Sequence, residues 1–299
     1  MTADDDSRGE ADVKRGSFDH IPVLLSEVCE VAAPADGEVI VDATFGAGGY
    51  SRAFLEMAEC SVIGFDRDPS AAAAAEALAE AFPGRFRFVP APFAELDRHL
   101  DAPVDAVVFD IGVSSMQLDD PARGFSFMSP GPLDMRMFAA HGAAPEDGAD
   151  AAQLVNTLDE KELADLIFHL GDERRARQIA RAIVRARATA PITTTTELAD
   201  LVARVYGRPP RDGRHPATRT FQALRIAVND ELMQLAKGLY AAEAVLRPGG
   251  RLVVVTFHSL EDRIAKRFLA LRSGRTPGAS RHQPEMIQLS QPTFRIVNH

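Results

Sequence analysis

The sequence is poor in the residues that build disulfide-bonded or zinc-bound domains. Its 299 residues include only two cysteines, Cys29 and Cys60, and no tryptophan. Neither cysteine stands in a CxxC or CxxH pattern, so we predict no disulfide framework and no metal site. Two thiols in a chain of this length suit a reducing compartment, which predicts a cytoplasmic protein.

Long apolar runs are also missing. No apolar stretch approaches the length of a membrane helix, which predicts a protein without a membrane partner. The first 17 residues are polar and acidic and lack the apolar stretch of a signal peptide. We predict that residues 1–18 form a disordered tail. Hydrophobic residues still make up 46% of the chain, enough for the core of one large domain or of a domain with an insertion.

Positive charge is scarce overall but concentrated in one region. The net charge of −10 argues against a nucleic-acid partner for the chain as a whole. Residues 174–225, however, hold twelve arginines against three acidic residues, a local net charge of +9. Four of these arginines recur at helical steps and would share one helix face: Arg174, Arg177, Arg181 and Arg185. This face is either a patch for RNA phosphates or a solvated helix surface.

Apolar strands alternate with helical segments in the first part of the chain. Strands are predicted at residues 39–43, 61–66, 85–89 and 104–110. Helical patterns separate them. This alternation predicts an α/β fold with a mostly parallel sheet that is covered by helices on both faces.

The alternation stops after Gly112. Residues 114–148 are rich in Gly, Pro, Asp and Ser and predict a long functional loop. Helical patterns follow at 151–156, 159–170, 173–188 and 196–206. We therefore predict an all-helical domain inserted into the α/β domain.

The α/β pattern returns near the end of the chain. It predicts one helix at 220–246, a turn at 247–250, a strand at 251–257 and a helix that begins at Ser259 with a capping box over 259–262. Residues 293–297 are a candidate for one last strand. The predicted parts are the tail 1–18, the α/β domain in two pieces, 19–124 and 219–299, and the loop with the helical insertion, 125–218.

Three acidic residues and a glycine loop lie where the predicted strands end. Asp42, Asp66 and Asp110 close three strands, and His258 follows a fourth. The first strand leads into a loop with Gly46, Gly48 and Gly49. Ligands of open parallel sheets bind at this edge, so these residues are predicted to bind a cofactor. An acid at the end of the second strand typically accepts hydrogen bonds from ribose hydroxyls.

Two cofactors compete for this pattern. A nicotinamide dinucleotide needs G-x-G-x-x-G, but Ser51 stands in the place of the third glycine, and Asp42 would lie near phosphate charge. S-adenosylmethionine carries an ammonium group and a sulfonium and no phosphate, so Asp42 and Asp110 suit it better. The plainer alternative is that the acids only cap helices and turns.

Eight segments together carry a resemblance to a known family. They are HIPVLL at 20–25, DATFGAGGYS at 42–51, DRDP at 66–69, DIGVSSMQLDD at 110–120, RGFSF at 123–127, GPLDMRM at 131–137, HPATRTFQALR at 215–225 and FHSLEDR at 257–263. In these segments the chain resembles the MraW family of bacterial methyltransferases, which act on N4 of a cytidine in the decoding region of 16S rRNA.

The resemblance implies a fold, a cofactor and a set of contacts. The fold is that of a class I S-adenosylmethionine-dependent methyltransferase, Rossmann-like, with an inserted all-helical domain. The family's cofactor contacts correspond to Gly48, Gly49, Tyr50, Asp66, Phe93, Asp110 and Gln117. Tyr50 stands where many members have His, and Met116 where many have Pro, but neither change removes a glycine or an acid.

The implied reaction suggests roles for further residues. Three residues are predicted to be catalytic: Asp110, Ser114 and Ser115. Asp110 would accept hydrogen bonds from the target amine, and the two serines would hold the edge of the base in place. Alternatively, Asp110 only orients the cofactor. Phe125 and Phe127 are candidate stacking partners for the base. Contacts to the 16S rRNA of the small subunit are predicted for the four arginines above and for Arg214, His215, Arg219 and His258, although His258 equally suits a strand end. A non-catalytic RNA-binding module is a further alternative.

Overall fold

The computed structural model of this chain describes residues 22–138, 148–207, 213–275 and 291–297. The predicted tail at 1–18 lies outside the described residues. Within the described ranges, no helix is both long enough and apolar enough to cross a membrane.

Five parallel strands form one sheet in the order β3-β2-β1-β4-β5. They are β1 (Val39–Asp42), β2 (Ser61–Phe65), β3 (Phe86–Val89), β4 (Val104–Asp110) and β5 (Leu246–Val255). The direction of winding reverses between β1 and β4, which are direct neighbours in the sheet. Such a reversal opens a crevice at the carboxyl ends of these strands. The predicted class I α/β fold is confirmed.

Two apolar cores cover the two faces of the sheet. One face packs on α1 (Leu25–Ala32), α2 (Gly49–Met57) and α3 (Ala72–Ala81). The other packs on α4 (Leu96–His99), α11 (Glu231–Val245) and α12 (Ser259–Arg272). Alternate residues of β4 enter the two cores, Val108 in the first and Val107 and Phe109 in the second. A strand buried on both faces needs an unbroken apolar run, as β4 has.

A third core lies within the helical region. It joins α6 (Ala151–Thr157), α7 (Glu160–Gly171), α8 (Ala176–Arg187), α9 (Thr195–Tyr206) and α10 (Thr218–Asn229). Ile167, Ile179 and Ile183 are completely buried in it. Phe125 and Leu133, from the segment that precedes these helices, share this core. The domain boundaries at residues 125 and 218 remain a prediction.

The segment between the short helix α5 (Ser115–Asp119) and the helical region is tied to the sheet by buried polar groups. Arg123 forms an ion pair with Asp68, just past β2, with 2.8 Å between Nη2 and Oδ2. Asn229, at the end of α10, accepts the N–H of Met137 and donates to the carbonyl of Met135. These contacts fix the described part of the segment, up to residue 138, against the end of β2 and against α10.

Predictions about elements near the end of the chain are confirmed only in part. The stretch 220–246 is helical as predicted but consists of two helices, α10 and α11, because Asp230 adopts a left-handed conformation with φ of 51°. β5 already begins at Leu246 and includes the predicted turn, with a register irregularity opposite β4, and it ends at Val255. Residues 293–297 form no strand; the N–H groups of Thr293 and Phe294 donate to the carbonyl of Arg272.

Candidate functional site

The glycine loop joins β1 to α2 and reaches the rim of the crevice. Gly46 and Gly48 have φ values of 52° and 80°, which side-chain-bearing residues rarely adopt. A Cβ atom on Gly48 would lie 2.8 Å from the ring of Phe45, and one on Gly49 would lie 2.4 Å from Pro22 Cγ. The loop thus needs glycine for its own packing, and its bare backbone leaves room for a ligand to approach.

Asp66 directly follows β2 and holds the glycine loop. One of its carboxylate oxygens accepts the N–H of Gly46 at 2.8 Å, and the other accepts the N–H of Asp68 at the same distance. Burial raises the pKa of Asp66 above its usual range. Each oxygen retains a second lone pair, so the carboxylate can still accept ribose hydroxyls. This arrangement fits the predicted cofactor contact.

Asp42 lies beneath the loop. Its side chain is completely buried, accepts the Ser51 hydroxyl at 2.7 Å and accepts the N–H of Thr44 at 3.3 Å. Burial raises its pKa to about 6. The predicted direct contact with the cofactor needs correction, because a carboxylate without exposed surface can act only through the loop that it supports and through its charge.

Asp110 ends β4 beside the glycine loop. Its N–H donates to the Thr44 hydroxyl at 2.7 Å, which fixes the end of β4 against that of β1. Its Oδ1 is buried and has no hydrogen-bond partner among the described residues. Burial, followed by the charges of Asp42 and Glu261, raises its pKa to about 7. Unlike Asp42, the Asp110 residue is partly exposed at the rim. A buried acceptor atom without a partner is energetically unfavourable, which is the pattern expected of a group that receives a ligand.

Ser114 and Gln117 build the turn after β4. Ser114 is the N-cap of α5: its hydroxyl accepts the N–H of Gln117, and the Gln117 side chain accepts the N–H of Ser114. Gln117 is buried and also donates to Asp68 at 2.6 Å. These side chains hold the loop together, and the predicted functional contacts of Ser114 and Gln117 remain predictions. The hydroxyl hydrogen of Ser114 is not used in these bonds, and Ser115, the first residue of α5, is partly exposed.

Two aromatic residues predicted to contact the cofactor are packed into the protein. The hydroxyl of Tyr50 donates to the carbonyl of Val23, and the Tyr50 side chain is buried. Phe93 meets Phe109 edge-on, with 5.5 Å between the ring centroids, and is partly exposed. Tyr50 can meet a ligand through its backbone, whereas Phe93 retains a free side-chain surface.

The predicted stacking partners are engaged elsewhere. Phe125 is buried in the helical core. The ring of Phe127 lies 4.7 Å from that of His215 and 4.8 Å from that of Phe221. Neither ring is free to stack on a base, because its faces or edges already contact protein. His215 is exposed, but its ring belongs to this cluster and its Nδ1 accepts the N–H of Ala217.

A polar cluster that sequence reasoning missed surrounds His258. His258 is the N-cap of α12, so the capping box begins one residue before the predicted Ser259, and Glu261 accepts the N–H groups of Phe257 and His258. His258 Nε2 lies 2.8 Å from the buried Glu261. Glu231 lies nearby, so that three potential metal-ligand atoms fall within 4.8 Å of one another.

Glu231 already has a partner of its own. Both of its oxygens accept Arg225 at 2.8 Å, and Arg225 brings a partly buried positive charge that would repel a metal ion. Glu231 therefore belongs to an ion pair, whereas within the described residues both ring nitrogens of His258 and Oε1 of Glu261 are buried without a hydrogen-bond partner. The sequence places His258 and Glu261 in one segment but does not show that Glu231 and Arg225, from α11 and α10, join them.

The arginine-bearing face of α8 is solvent-exposed. Arg177, Arg181 and Arg185 are exposed on α8, and Arg174 is exposed just before it, while Ile179 and Ile183 point into the core. Arg181 also pairs with Glu160 at 3.3 Å. The exposure of Arg177, Arg181 and Arg185 agrees with the predicted face, whereas Arg174 precedes the helix. Not every arginine of the region belongs to it: Arg187 donates to carbonyls of α6 and the residue after it, and Arg225 is partly buried and paired with Glu231.

The helical region contacts the rim near the start of α12. Asp172, between α7 and α8, accepts the Ser259 hydroxyl at 3.0 Å, and its carbonyl accepts Arg219. Arg174 follows only two residues later. The start of the arginine face therefore lies close to the end of β5, where His258 stands, whereas the structure does not bring Arg185 to the rim.

Comparison with known proteins gives consistent results. The chain is 59% identical over 284 residues to the ribosomal RNA small subunit methyltransferase H of Methylobacterium sp. (strain 4-46), covering 93% of this chain and 82% of that protein. It is 56% identical over 293 residues to the protein of the same name from Azorhizobium caulinodans, covering 97% of this chain and 82% of that protein.

A solved rRNA methylase from Streptococcus thermophilus overlaps only in part. It has 26% identity and a TM-score of 0.25, and the overlap covers 29% of this chain and 52% of that one. This partial likeness adds nothing to the assignment. The decisive match is at family level, over residues 17–299. The chain belongs to the MraW methylase family.

Proposed function

We propose that this protein transfers a methyl group from S-adenosylmethionine to N4 of a cytidine in the decoding region of 16S rRNA. The observation that carries the proposal is Asp110 at the crevice between β1 and β4, whose buried Oδ1 has no hydrogen-bond partner in the part of the chain that the structure describes. A partially methylated or unmethylated small subunit is the proposed substrate, which implies a cytoplasmic site of action.

The rim suits the family's cofactor, S-adenosylmethionine. The acid at the end of β2 can accept the ribose hydroxyls, and the glycine loop allows close approach of a ligand. When ionised, Asp42 and Asp110 add negative charge that favours a sulfonium and disfavours a pyrophosphate. When bound, S-adenosylmethionine supplies an electrophilic methyl group and leaves as S-adenosylhomocysteine.

The chemical difficulty lies in the acceptor. The exocyclic amine of cytosine is a weak nucleophile, because its lone pair is delocalised into the ring. We assign to Asp110 the role of accepting a hydrogen bond from this amine, which localises the lone pair and receives the proton that leaves as the N–C bond forms. The Thr44 hydroxyl accepts the backbone N–H of Asp110 and so holds Asp110 in place. Ser114 and Gln117 keep the neighbouring backbone rigid, so that the amine stays in line with the methyl group.

The exposed face of α8 is the proposed docking surface for RNA phosphates. The contact between Asp172 and Ser259 places the start of this face near the rim. From there the face continues along α8, away from the rim. Arg214, His215 and Arg219 extend the proposed surface at the start of α10. A target that is held by its backbone can then present a single unstacked base to the crevice.

Removing two arginines of this face should lower the affinity for RNA and should make that affinity less dependent on salt. Each lost phosphate contact lowers the slope of log affinity against log salt by about 0.7 to 0.9. For Arg177→Gln with Arg185→Gln, we expect a slope smaller by about 1.5 in filter-binding titrations of small-subunit RNA.

The matched control carries the same loss of charge elsewhere. Arg98 and Arg267 are exposed on α4 and α12. Replacing both by Gln should change the slope by less than half as much as the α8 variant does. Equal changes for the two double variants would contradict a docking surface on α8.

Methyl transfer tests the proposed function against its alternatives. With radiolabelled S-adenosylmethionine, label should appear in the RNA of small subunits taken from cells without this modification, and not in that of large subunits. A dehydrogenase would instead bind a nicotinamide dinucleotide in a titration, and a non-catalytic RNA-binding module would bind small-subunit RNA without any transfer.

A further inference from the structure

We infer that Phe257 is the aromatic platform on which the target base stacks, an inference that rests on the proposed function. Phe257 follows β5 at the rim and is 54% exposed, unusual for a phenylalanine. It was not among the predicted stacking residues, and both of those are packed against other side chains.

The sheet places Phe257 beside the proposed acceptor. β5 is the direct neighbour of β4, with Val255 opposite Asp110, and the N–H of Ile111 donates to the carbonyl of Val255 at 3.0 Å. Phe257 comes two residues after Val255. Its ring lies against Gly112, where an added Cβ atom would be 3.3 Å from Cδ2. The exposed ring and the unpartnered Asp110 Oδ1 therefore belong to one end of two adjacent strands.

The backbone of Phe257 is held in place although its side chain is exposed. Its N–H donates to the buried Glu261 carboxylate at 2.9 Å, and the same oxygen accepts the N–H of His258. Glu261 also lies 2.8 Å from the His258 imidazole. The buried cluster around His258 thus gains a function: it fixes the chain that presents the ring to solvent.

An exposed ring next to a base-reading acceptor matches what an unstacked base requires. Enzymes that act on a base within RNA remove it from its stack, and they usually replace the lost stacking by an aromatic side chain. Stacking on one ring typically changes affinity by about ten- to hundredfold. The ring also limits how the base can lie, which directs its amine toward Asp110.

Substitutions at Phe257 separate stacking from simple packing. We expect Phe257→Ala and Phe257→Leu to lower kcat/KM for small subunits by about ten- to hundredfold, and Phe257→Tyr to stay within about threefold, because only Tyr keeps the π-face. Affinity for S-adenosylmethionine, measured by calorimetry, should stay within about twofold for all three. Full activity of the Leu variant would overturn the inference.

Fluorescence gives a readout that does not depend on turnover. The chain contains no tryptophan, so Phe257→Trp introduces the only indole. A decoding-region RNA should quench this indole, and the same RNA with an abasic site at the target should not. The control is Met57→Trp, since Met57 is 56% exposed at the end of α2, at the opposite edge of the sheet, and should respond equally to both RNAs.

The outcomes distinguish this inference from the proposed function. If methylation maps to the cytidine but the indole responds equally to both RNAs, stacking by Phe257 is refuted and the function stands. If the indole distinguishes the base from the abasic site but the methylated nucleoside is not a cytidine, stacking stands and the proposed target is wrong.

Discussion

Asp110→Asn should lower the rate of methyl transfer by about two to four orders of magnitude, the range that a positioned proton acceptor contributes. Asparagine has nearly the same shape but cannot take the proton that leaves the amine. Affinity for S-adenosylmethionine, measured by calorimetry, should fall by less than about tenfold. A parallel loss of affinity and turnover would instead mean that Asp110 only orients the cofactor.

The dependence of kcat/KM on pH should also identify Asp110 as the proton acceptor. Because burial and neighbouring charges raise the pKa of Asp110 to about 7, kcat/KM should rise with pH and level off above about pH 7, where the carboxylate is ionised. The residual activity of Asp110→Asn should lack this step.

The melting temperature provides a control, because Asp110→Asn should raise it while lowering the activity. An aspartate has a pKa of about 3.9 in an unfolded chain, so the raised pKa of Asp110 destabilises the native state increasingly from about pH 4 to pH 7. Asp110→Asn should therefore raise the melting temperature, by an amount that grows over this interval and is constant above it. A variant that is less stable at pH 8 would show that lost activity reflects misfolding.

Asp66→Asn should weaken binding of S-adenosylmethionine by about two orders of magnitude. The substitution puts an NH2 group against the N–H of either Gly46 or Asp68, and it removes the charge that would accept ribose hydroxyls. The measurement is a calorimetric titration with S-adenosylmethionine.

An exposed acid provides the matched control for Asp66. Asp101 lies in the turn before β4, at the opposite edge of the sheet, and Asp101→Asn makes the same change of charge. It should leave the dissociation constant within about twofold. Equal effects of the two substitutions would place the ribose contact elsewhere.

Periodicity and strand ends made most of the fold predictable. β4 is buried on both faces and has the continuous apolar run that this demands, and its last residue had to reach the rim. The arginine face of α8 was predictable for the same reason, because a spacing of three and four residues sets a side of a helix. The break between α10 and α11 was not predictable, because it depends on a single residue, Asp230, in a left-handed conformation within an otherwise helical pattern.

The site was less predictable than the fold because its side chains come from distant segments. The residue type and its position in a motif did not reveal that the side-chain amide of Gln117 forms hydrogen bonds with Ser114 and Asp68. Nor did they reveal that Phe127 packs against Phe221 while Phe257 stays exposed. Such choices follow from contacts between segments that are far apart in the chain.

The most direct test is to identify the methylated nucleoside. The protein is incubated with S-adenosylmethionine and small subunits from cells that lack this modification, and the RNA is digested and analysed by mass spectrometry. The account predicts N4-methylcytidine at one position of the decoding region, formed by the native chain and nearly absent with Asp110→Asn. Methylation of another nucleoside, or of a cytidine carbon, would contradict it.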